Sequence, residues 1–266
     1  MNRVYLVQMN ILFNQKEENF KTVSRLLENV SVEPGSLILL PEMFATGFFP
    51  ENPKNAAEKF YNKDLGKTAR FLFDLALEKE AVIQGSGIAK TERGVQNRVS
   101  VYGPRWDYEI ASYHKMKLFF EEKEHFIPGL SPTFYTWRHW KVSPFLCYDL
   151  RFPELFRNAM IMGCDILSVA ANWPRRRQEH FRTLLRARAI ENQSYVLGIN
   201  RTGNGPHEDY AGGSIIIGPS GEILAEAGEE ECVVSFELNR ESLYNERRKF
   251  PVLDDYYFNN GFRSPV

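Results

Sequence analysis

Cysteine is scarce in this chain, with three in 266 residues: Cys147, Cys164 and Cys232. Three thiols cannot all pair with one another. No C-x-x-C or His-x-x-x-His spacing accompanies them, so a disulfide framework or a structural zinc site has no basis. An excess of charge is also missing. The 33 basic and 34 acidic residues leave a formal charge of −1, which removes the bulk electrostatic reason to expect nucleic acid or an anionic membrane as partner. Long hydrophobic runs are absent as well. The stretch from Met1 to Phe13 is apolar in patches but broken by Arg3, Gln8 and Asn10, too interrupted for a signal peptide or a spanning helix. Without a secretory segment, reduced thiols in a cytoplasmic setting are the expectation. Repeats, low-complexity tracts and linkers are missing too, which argues for one domain over residues 1–266.

What is present is an ordinary globular composition, 43% hydrophobic and 25% charged, in a chain long enough to bury a sizeable core. Short apolar runs at Arg3–Met9, Ser36–Leu40, Ala81–Ile88, Val142–Leu146, Asp165–Ala171 and Tyr195–Asn200 read as strands, several with the unbroken apolar character of strands buried on both faces. Between the first two, Phe20, Val23, Leu26, Leu27 and Val30 recur at helical spacing, and Asn14 with Glu17 predicts a capped start. Further helices are expected over Lys67–Glu80, from Pro153 to near Gly163, and over Glu179–Asn192. Arg98–Tyr102 and Tyr108–Tyr113 around Gly103-Pro104 read as a hairpin. Ser214–Gly218, Ile223–Ala227 and Cys232–Leu238 make the last third strand-rich. Alternation of this kind predicts α/β layers, with two sheets packed together under helices.

In open α/β folds ligands gather where strands end. Glu42, Lys115 and Cys147 stand at three such ends. Singly, each has an ordinary reading as strand end, surface lysine or small core residue. Their contexts say more. Cys147 lies between the apolar run Pro144-Phe145-Leu146 and a proline-started helix, an elbow where backbone N–H groups can receive an oxyanion. A neighbouring ammonium such as Lys115 would lower the thiol pKa, and Glu42 after the rigid Pro41 could serve as general base and acid.

Leu40-Pro41-Glu42-Met43-Phe44, Lys115-Met116-Lys117-Leu118-Phe119 and Cys147-Tyr148-Asp149-Leu150-Arg151-Phe152-Pro153-Glu154 resemble, in order, the three signature segments of the carbon–nitrogen hydrolase (nitrilase) superfamily, and the resemblance runs from Arg3 to about Pro251. It implies a four-layer α-β-β-α sandwich and a Glu-Lys-Cys triad carried by Glu42, Lys115 and Cys147, working by covalent catalysis that needs no metal or organic cofactor. Side chains two apart on a strand face the same way, so spacing leaves Lys115 and Lys117 open. The resemblance selects Lys115, and Lys117 departs from the histidine common at that position. It also implies a second, orienting glutamate upstream of Pro128-Gly129. Glu122 and Glu124 both qualify, and the distance from Gly129 favours Glu122.

Within the superfamily, Pro41 to Phe48, Ala171-Asn172-Trp173-Pro174 and Arg186 to Gln193 look most like bacterial omega-amidases, which release ammonia from the terminal amide of 2-oxo acids. An N-carbamoyl amino-acid amidohydrolase or a nitrilase on the same triad is the alternative, and a non-catalytic binding module a distant one. Phe44, Phe48, Tyr148, Asn172 and Trp173 are candidates for the pocket wall. Arg175, with Arg176 and Arg177 directly after it also open, is the candidate cation for a substrate carboxylate, a task that suits a guanidinium. The resemblance further implies a homodimer or higher oligomer packed through the helices beside the elbow. Residues 250–266, with Phe250, Val252, Leu253, Tyr256, Tyr257 and Phe258 but few helix or strand signals, are expected as an extension laid on a neighbour or on the core.

Overall fold

The computed structural model describes residues 2–48, 52–61, 64–105 and 109–261. In chain order the first half runs β1 (Arg3–Gln8), α1 (Lys16–Glu28), β2 (Leu37–Leu39), α2 (Pro53–Ala56), α3 (Lys67–Glu78), β3 (Val82–Thr91), β4 (Gly94–Tyr102), β5 (Ala111–His114) and α4 (Glu122–His125). The second half begins with β6 (Tyr135–Trp137), β7 (Trp140–Leu146), α5 (Pro153–Ile161), β8 (Ile166–Ala171), α6 (Gln178–Asn192) and β9 (Tyr195–Asn200). It ends with β10 (Thr202–Asn204), β11 (Asp209–Ala211), β12 (Ile215–Ile217), β13 (Ile223–Glu226), β14 (Cys232–Glu237), α7 (Arg240–Lys249) and α8 (Val252–Asn259).

Two six-stranded sheets result, ordered β14-β1-β2-β3-β4-β5 and β13-β12-β9-β8-β7-β6. The centre of each is parallel, β1 with β2 with β3 and β7 with β8 with β9, and antiparallel strands flank it. Two-residue alternation sorts the side chains of the first sheet. Val4, Leu6, Leu37 and Leu39 face the second sheet and join Phe145, Val169 and Ile216 in one core cluster. Tyr5, Val7, Ile38 and Leu40 face outward onto Val23, Leu27, Leu72 and Leu75 of α1 and α3. Phe156 of α5 and Phe181 and Leu185 of α6 cover the second sheet. The four layers are therefore helix, sheet, sheet and helix, as expected. No helix among the described residues is long and apolar enough to cross a membrane.

Several local expectations need correction. Asn14 does not cap α1: it sits at φ +57 and its N–H donates to Thr46 O at 2.9 Å. Buried Asn19 instead ties the helix to the loop beyond Glu42, donating to Leu12 O and Ala45 O at 2.7 and 2.9 Å. The β3–β4 hairpin was not anticipated, because Glu92, Arg93 and Gly94 carry no strong turn signature. The expected hairpin after Tyr102 does form, β4 pairing antiparallel with β5 with Val101 opposite Ala111 and Val99 opposite Tyr113, while Tyr108 itself lies outside the described residues. The tail is not irregular. Residues 252–259 form α8, whose Leu253 and Tyr257 pack on Met160 of α5 in the same chain. The last residues of that segment, from Phe262, lie outside the described range.

Candidate active site

The carboxyl ends of β2, β7 and β8 and the end of β5 converge where the two sheets meet. Glu42 follows β2, Lys115 is the first residue after β5, Cys147 closes β7, and Asn172-Trp173 follow β8. Lys115 Nζ lies 2.9 Å from Glu42 Oε1 and 2.7 Å from Glu122 Oε2, and all three side chains are sealed from solvent. Glu122 is thus the buried member of its acidic run, whereas Glu124 is exposed. Asn97 of β4, which drew no attention in the sequence, donates from Nδ2 to both glutamates, at 2.7 Å to Glu42 and 3.2 Å to Glu122. Its carbonyl also accepts the Lys115 N–H at 2.9 Å. On the other flank, Asn172 N–H donates to Glu42 Oε2 at 3.1 Å and Asn172 Nδ2 donates to the Glu42 carbonyl at 2.5 Å. Gly129 N–H donates to Lys115 O at 2.8 Å. A Cβ at Gly129 would lie 2.1 Å from His114 O, so this close approach admits only glycine.

Two carboxylates share one ammonium here, and the charges decide what each group does. Burial pulls the Lys115 pKa down, but Glu122 and Glu42 outweigh it and hold the amine charged well above its ordinary range. Burial pushes Glu122 up, with the Glu42 charge adding to the effect and Lys115 opposing it. Burial and the Glu42 carboxylate push the Cys147 thiol far above its ordinary value despite Lys115. Lys115 does pull the thiol pKa down, as expected, but burial and the two glutamates that share the ammonium outweigh it, so the net shift runs against a resting thiolate.

Cys147 begins a tight turn over residues 147–151 at φ +40, a conformation costly for any side chain. Met43, next to Glu42, is left-handed too, at φ +46. Asp149 holds the elbow in place. Its Oδ2 accepts from Leu146 N–H at 2.9 Å and Tyr113 Oη at 2.8 Å, and its Oδ1 accepts from Lys117 N–H at 2.9 Å. One carboxylate thereby fastens the β7 elbow to the lysine-bearing loop.

Above the thiol opens a cleft of about 450 Å³ lined by Phe48, Lys115, Phe119, Cys147, Tyr148, Arg151, Asn172, Trp173, Pro174, Arg177, Glu208 and Tyr210. Tyr148, Asn172 and Trp173 therefore stand where the sequence suggested. Asn200 clamps the Asn172-Trp173 turn, accepting from Trp173 N–H at 2.8 Å and donating to Trp173 O at 3.1 Å. Two candidates do not reach the cleft. Phe44 is fully buried against Phe20 and Phe71 under α1 and α3, because the turn at Met43 sends it to the opposite side from Glu42. Phe48, four residues on, takes the wall position. Arg175 points to the surface and forms a bidentate pair with Glu229 at 2.6 and 2.8 Å. Lys117 is half-buried, beyond the strand that would have aligned it with Lys115, and pairs with Glu154 at 3.3 Å. Phe119 and Arg151 lie in the signature segments but were not singled out as pocket residues, whereas Glu208 and Tyr210 carried no local signal, since only folding brings their segment to the cleft.

Comparison with known proteins identifies the family. The carbon-nitrogen hydrolase family model matches residues 3–248. Omega-amidase YafV of Yersinia enterocolitica is 36% identical over 259 residues, covering 95% of this chain and 96% of that protein. The 2-oxoglutaramate amidase of Bacillus subtilis is 32% identical, covering 94% and 95%. Among solved structures, XC1258 of Xanthomonas campestris, a CN-hydrolase superfamily protein with an arsenic adduct in its active site, superposes with a TM-score of 0.87 at 33% identity over 95% of this chain and 96% of that one. This chain belongs to the carbon–nitrogen hydrolase family, enzymes that hydrolyse carbon–nitrogen bonds.

Proposed function

We propose that the protein is an omega-amidase, releasing ammonia from the terminal carboxamide of a small 2-oxo acid such as 2-oxosuccinamate or 2-oxoglutaramate. The observation that carries the chemistry is the buried Glu42–Lys115–Glu122 cluster in a small cleft that the Cys147 thiol also lines. The relatives' names support the substrate class. Cys147 Sγ attacks the amide carbon while Glu42 takes the thiol proton. Lys115 Nζ and the Tyr148 N–H stabilise the oxyanion as preorganised donors. The C–N bond breaks, Glu42 returns the proton to the departing ammonia, and a thioester remains. Glu42 then activates water, which hydrolyses the thioester and regenerates the thiol. Because the net shift runs against a resting thiolate, the base acts in the attacking step itself. Glu122 keeps Lys115 oriented.

The same reading takes residues 1–266 as one catalytic unit, with the segment from 250 as an extension. It places the protein in the cytoplasm as a homodimer or higher homo-oligomer. Ammonia release measured across a panel of amides tests the function. Rapid turnover of 2-oxosuccinamate and little of acetamide or simple nitriles is expected, and preference for a carbamoyl amino acid or a nitrile would replace the reading.

A further inference from the structure

The three consecutive arginines after Pro174 do three different things. Arg175 is taken by Glu229. Arg176 is taken by Glu208, with Nε at 2.9 and 3.1 Å from the two carboxylate oxygens. Arg177 alone of the three lines the cleft, and its guanidinium has no ion pair or side-chain hydrogen bond among the described residues. It lies over the Phe119 ring, 5.6 Å from the centroid. Its backbone is locked to the pocket wall, because Trp173 Nε1 donates to Arg177 O at 2.7 Å and Arg177 N–H donates to Pro174 O at 3.0 Å. The other cleft-lining guanidinium, Arg151, is stacked 4.8 Å from the Trp173 centroid and 3.3 Å from His180 Nδ1. A half-buried cation held on a rigid turn, with a second cation nearby and no protein anion of its own, is a receptor for an anionic group.

We propose that Arg177 is the specificity-determining residue that receives the substrate carboxylate at the mouth of the Cys147 cleft. The inference rests on the omega-amidase reading and extends it to a named anchor. It also gives the Arg176–Glu208 pair a task. Glu208 lines the same cleft and would compete for Arg177 or repel a substrate carboxylate. Arg176 engages it bidentately and draws it aside. The three arginines therefore divide into a surface pair, a shield and an anchor. Burial beside Arg176 and Arg151 lowers the Arg177 pKa, a strain that an incoming carboxylate relieves.

The test compares wild type, Arg177→Gln, Arg177→Lys and Arg176→Ala on 2-oxosuccinamate and on butyramide, an amide of the same carbon count without a carboxylate. Arg177→Gln should raise KM for 2-oxosuccinamate on the order of ten- to a hundredfold, the worth of a charge-assisted hydrogen bond. Its kcat, and its turnover of butyramide, should stay within about twofold. Arg177→Lys should recover part of the loss. Arg176→Ala should raise the same KM, and Glu208→Gln in that background should lower it again. A wild type with no preference for the carboxylate-bearing amide would sink the substrate reading and the anchor together. A wild-type preference that Arg177→Gln retains would sink the anchor alone. Equal losses on both substrates, with a lowered melting temperature, would assign Arg177 a structural role instead.

Discussion

At Cys147 the thiol is small, partly accessible and seated on a turn whose backbone is held by Asp149 rather than by sulfur. Cys147→Ala should therefore abolish ammonia release while leaving the circular dichroism spectrum and melting temperature nearly unchanged. Activity surviving in that variant would remove the thiol from the mechanism. Cys164, buried in the core, and Cys232, on edge strand β14, should tolerate Ala with full activity and a modest stability loss, as expected where no chemistry is carried. Lys115 is a different case. Lys115→Met should cost on the order of a hundred- to a thousandfold in kcat through the lost oxyanion donor. It also strands Glu42 and Glu122 in a sealed site, so a stability loss of about 3–5 kcal/mol should accompany it, measurable by urea titration. Lys117→Met, which breaks a half-exposed pair with Glu154 and a cation–π contact with Phe152, should cost far less in both assays.

At the scale of elements, the site depends on how β7 and the β5 end are fastened together. Asp149 does this with three accepted hydrogen bonds, from Leu146, Tyr113 and Lys117. Asp149→Asn supplies only one accepting oxygen and turns its amide toward a donor, so kcat should fall more than KM rises, with a lower melting temperature. An unchanged kcat would show that the elbow stands without it. The pH dependence follows from the same group. Burial raises its pKa from an ordinary 3.8 to about 6, so the folded protein holds this proton more tightly than the unfolded chain. Ionising Asp149 therefore costs stability as pH rises from about 4 to about 6, and nothing further above that. Activity should run the other way. As pH falls through about 6, one accepting oxygen becomes a hydroxyl, the elbow loosens, and kcat/KM should drop. A profile flat down to pH 5 would contradict this.

For the molecule as a whole, α8 closes the chain against α5. Leu253 and Tyr257 pack on Met160, and Tyr257 Oη donates to Met160 O at 3.1 Å. Gln193 Nε2 donates to Phe250 O at 2.7 Å, fixing the entry to that segment. A chain ending before Phe250 should melt several degrees lower, because Met160 loses its cover. Phe258 is 85% exposed and Phe250 is 64% exposed on the same segment, which fits an outward contact in the proposed oligomer. Light scattering should report at least a dimer at micromolar concentration. A monomer there, or a truncated chain as stable as the full one, would reject the respective role.

Much of this protein was written in local pattern. Short, mostly apolar runs such as Val142–Leu146 and Tyr195–Asn200 declare strands, and β9 spans the expected residues. Glu42, Lys115 and Cys147 stand at strand ends, and a strand end has a fixed place in a layered fold. The choice between Glu122 and Glu124 was a different matter. Both are glutamates two residues apart, and only the packing of the loop against Lys115 buries one of them. The arginines after Pro174 are identical in chemistry, so their partners Glu229 and Glu208, distant in sequence, had to be brought near before Arg177 was left facing the cleft. Phe44 and Phe48 were likewise interchangeable as aromatics until the left-handed turn at Met43 sent one into the core. The charge state of Cys147 was beyond any reading of neighbours along the chain, because it is the balance of burial and three ionisable groups drawn from three separate segments. Periodicity and strand ends are properties of adjacent residues, whereas desolvation and charge pairing are sums over space, and those only the tertiary structure decided.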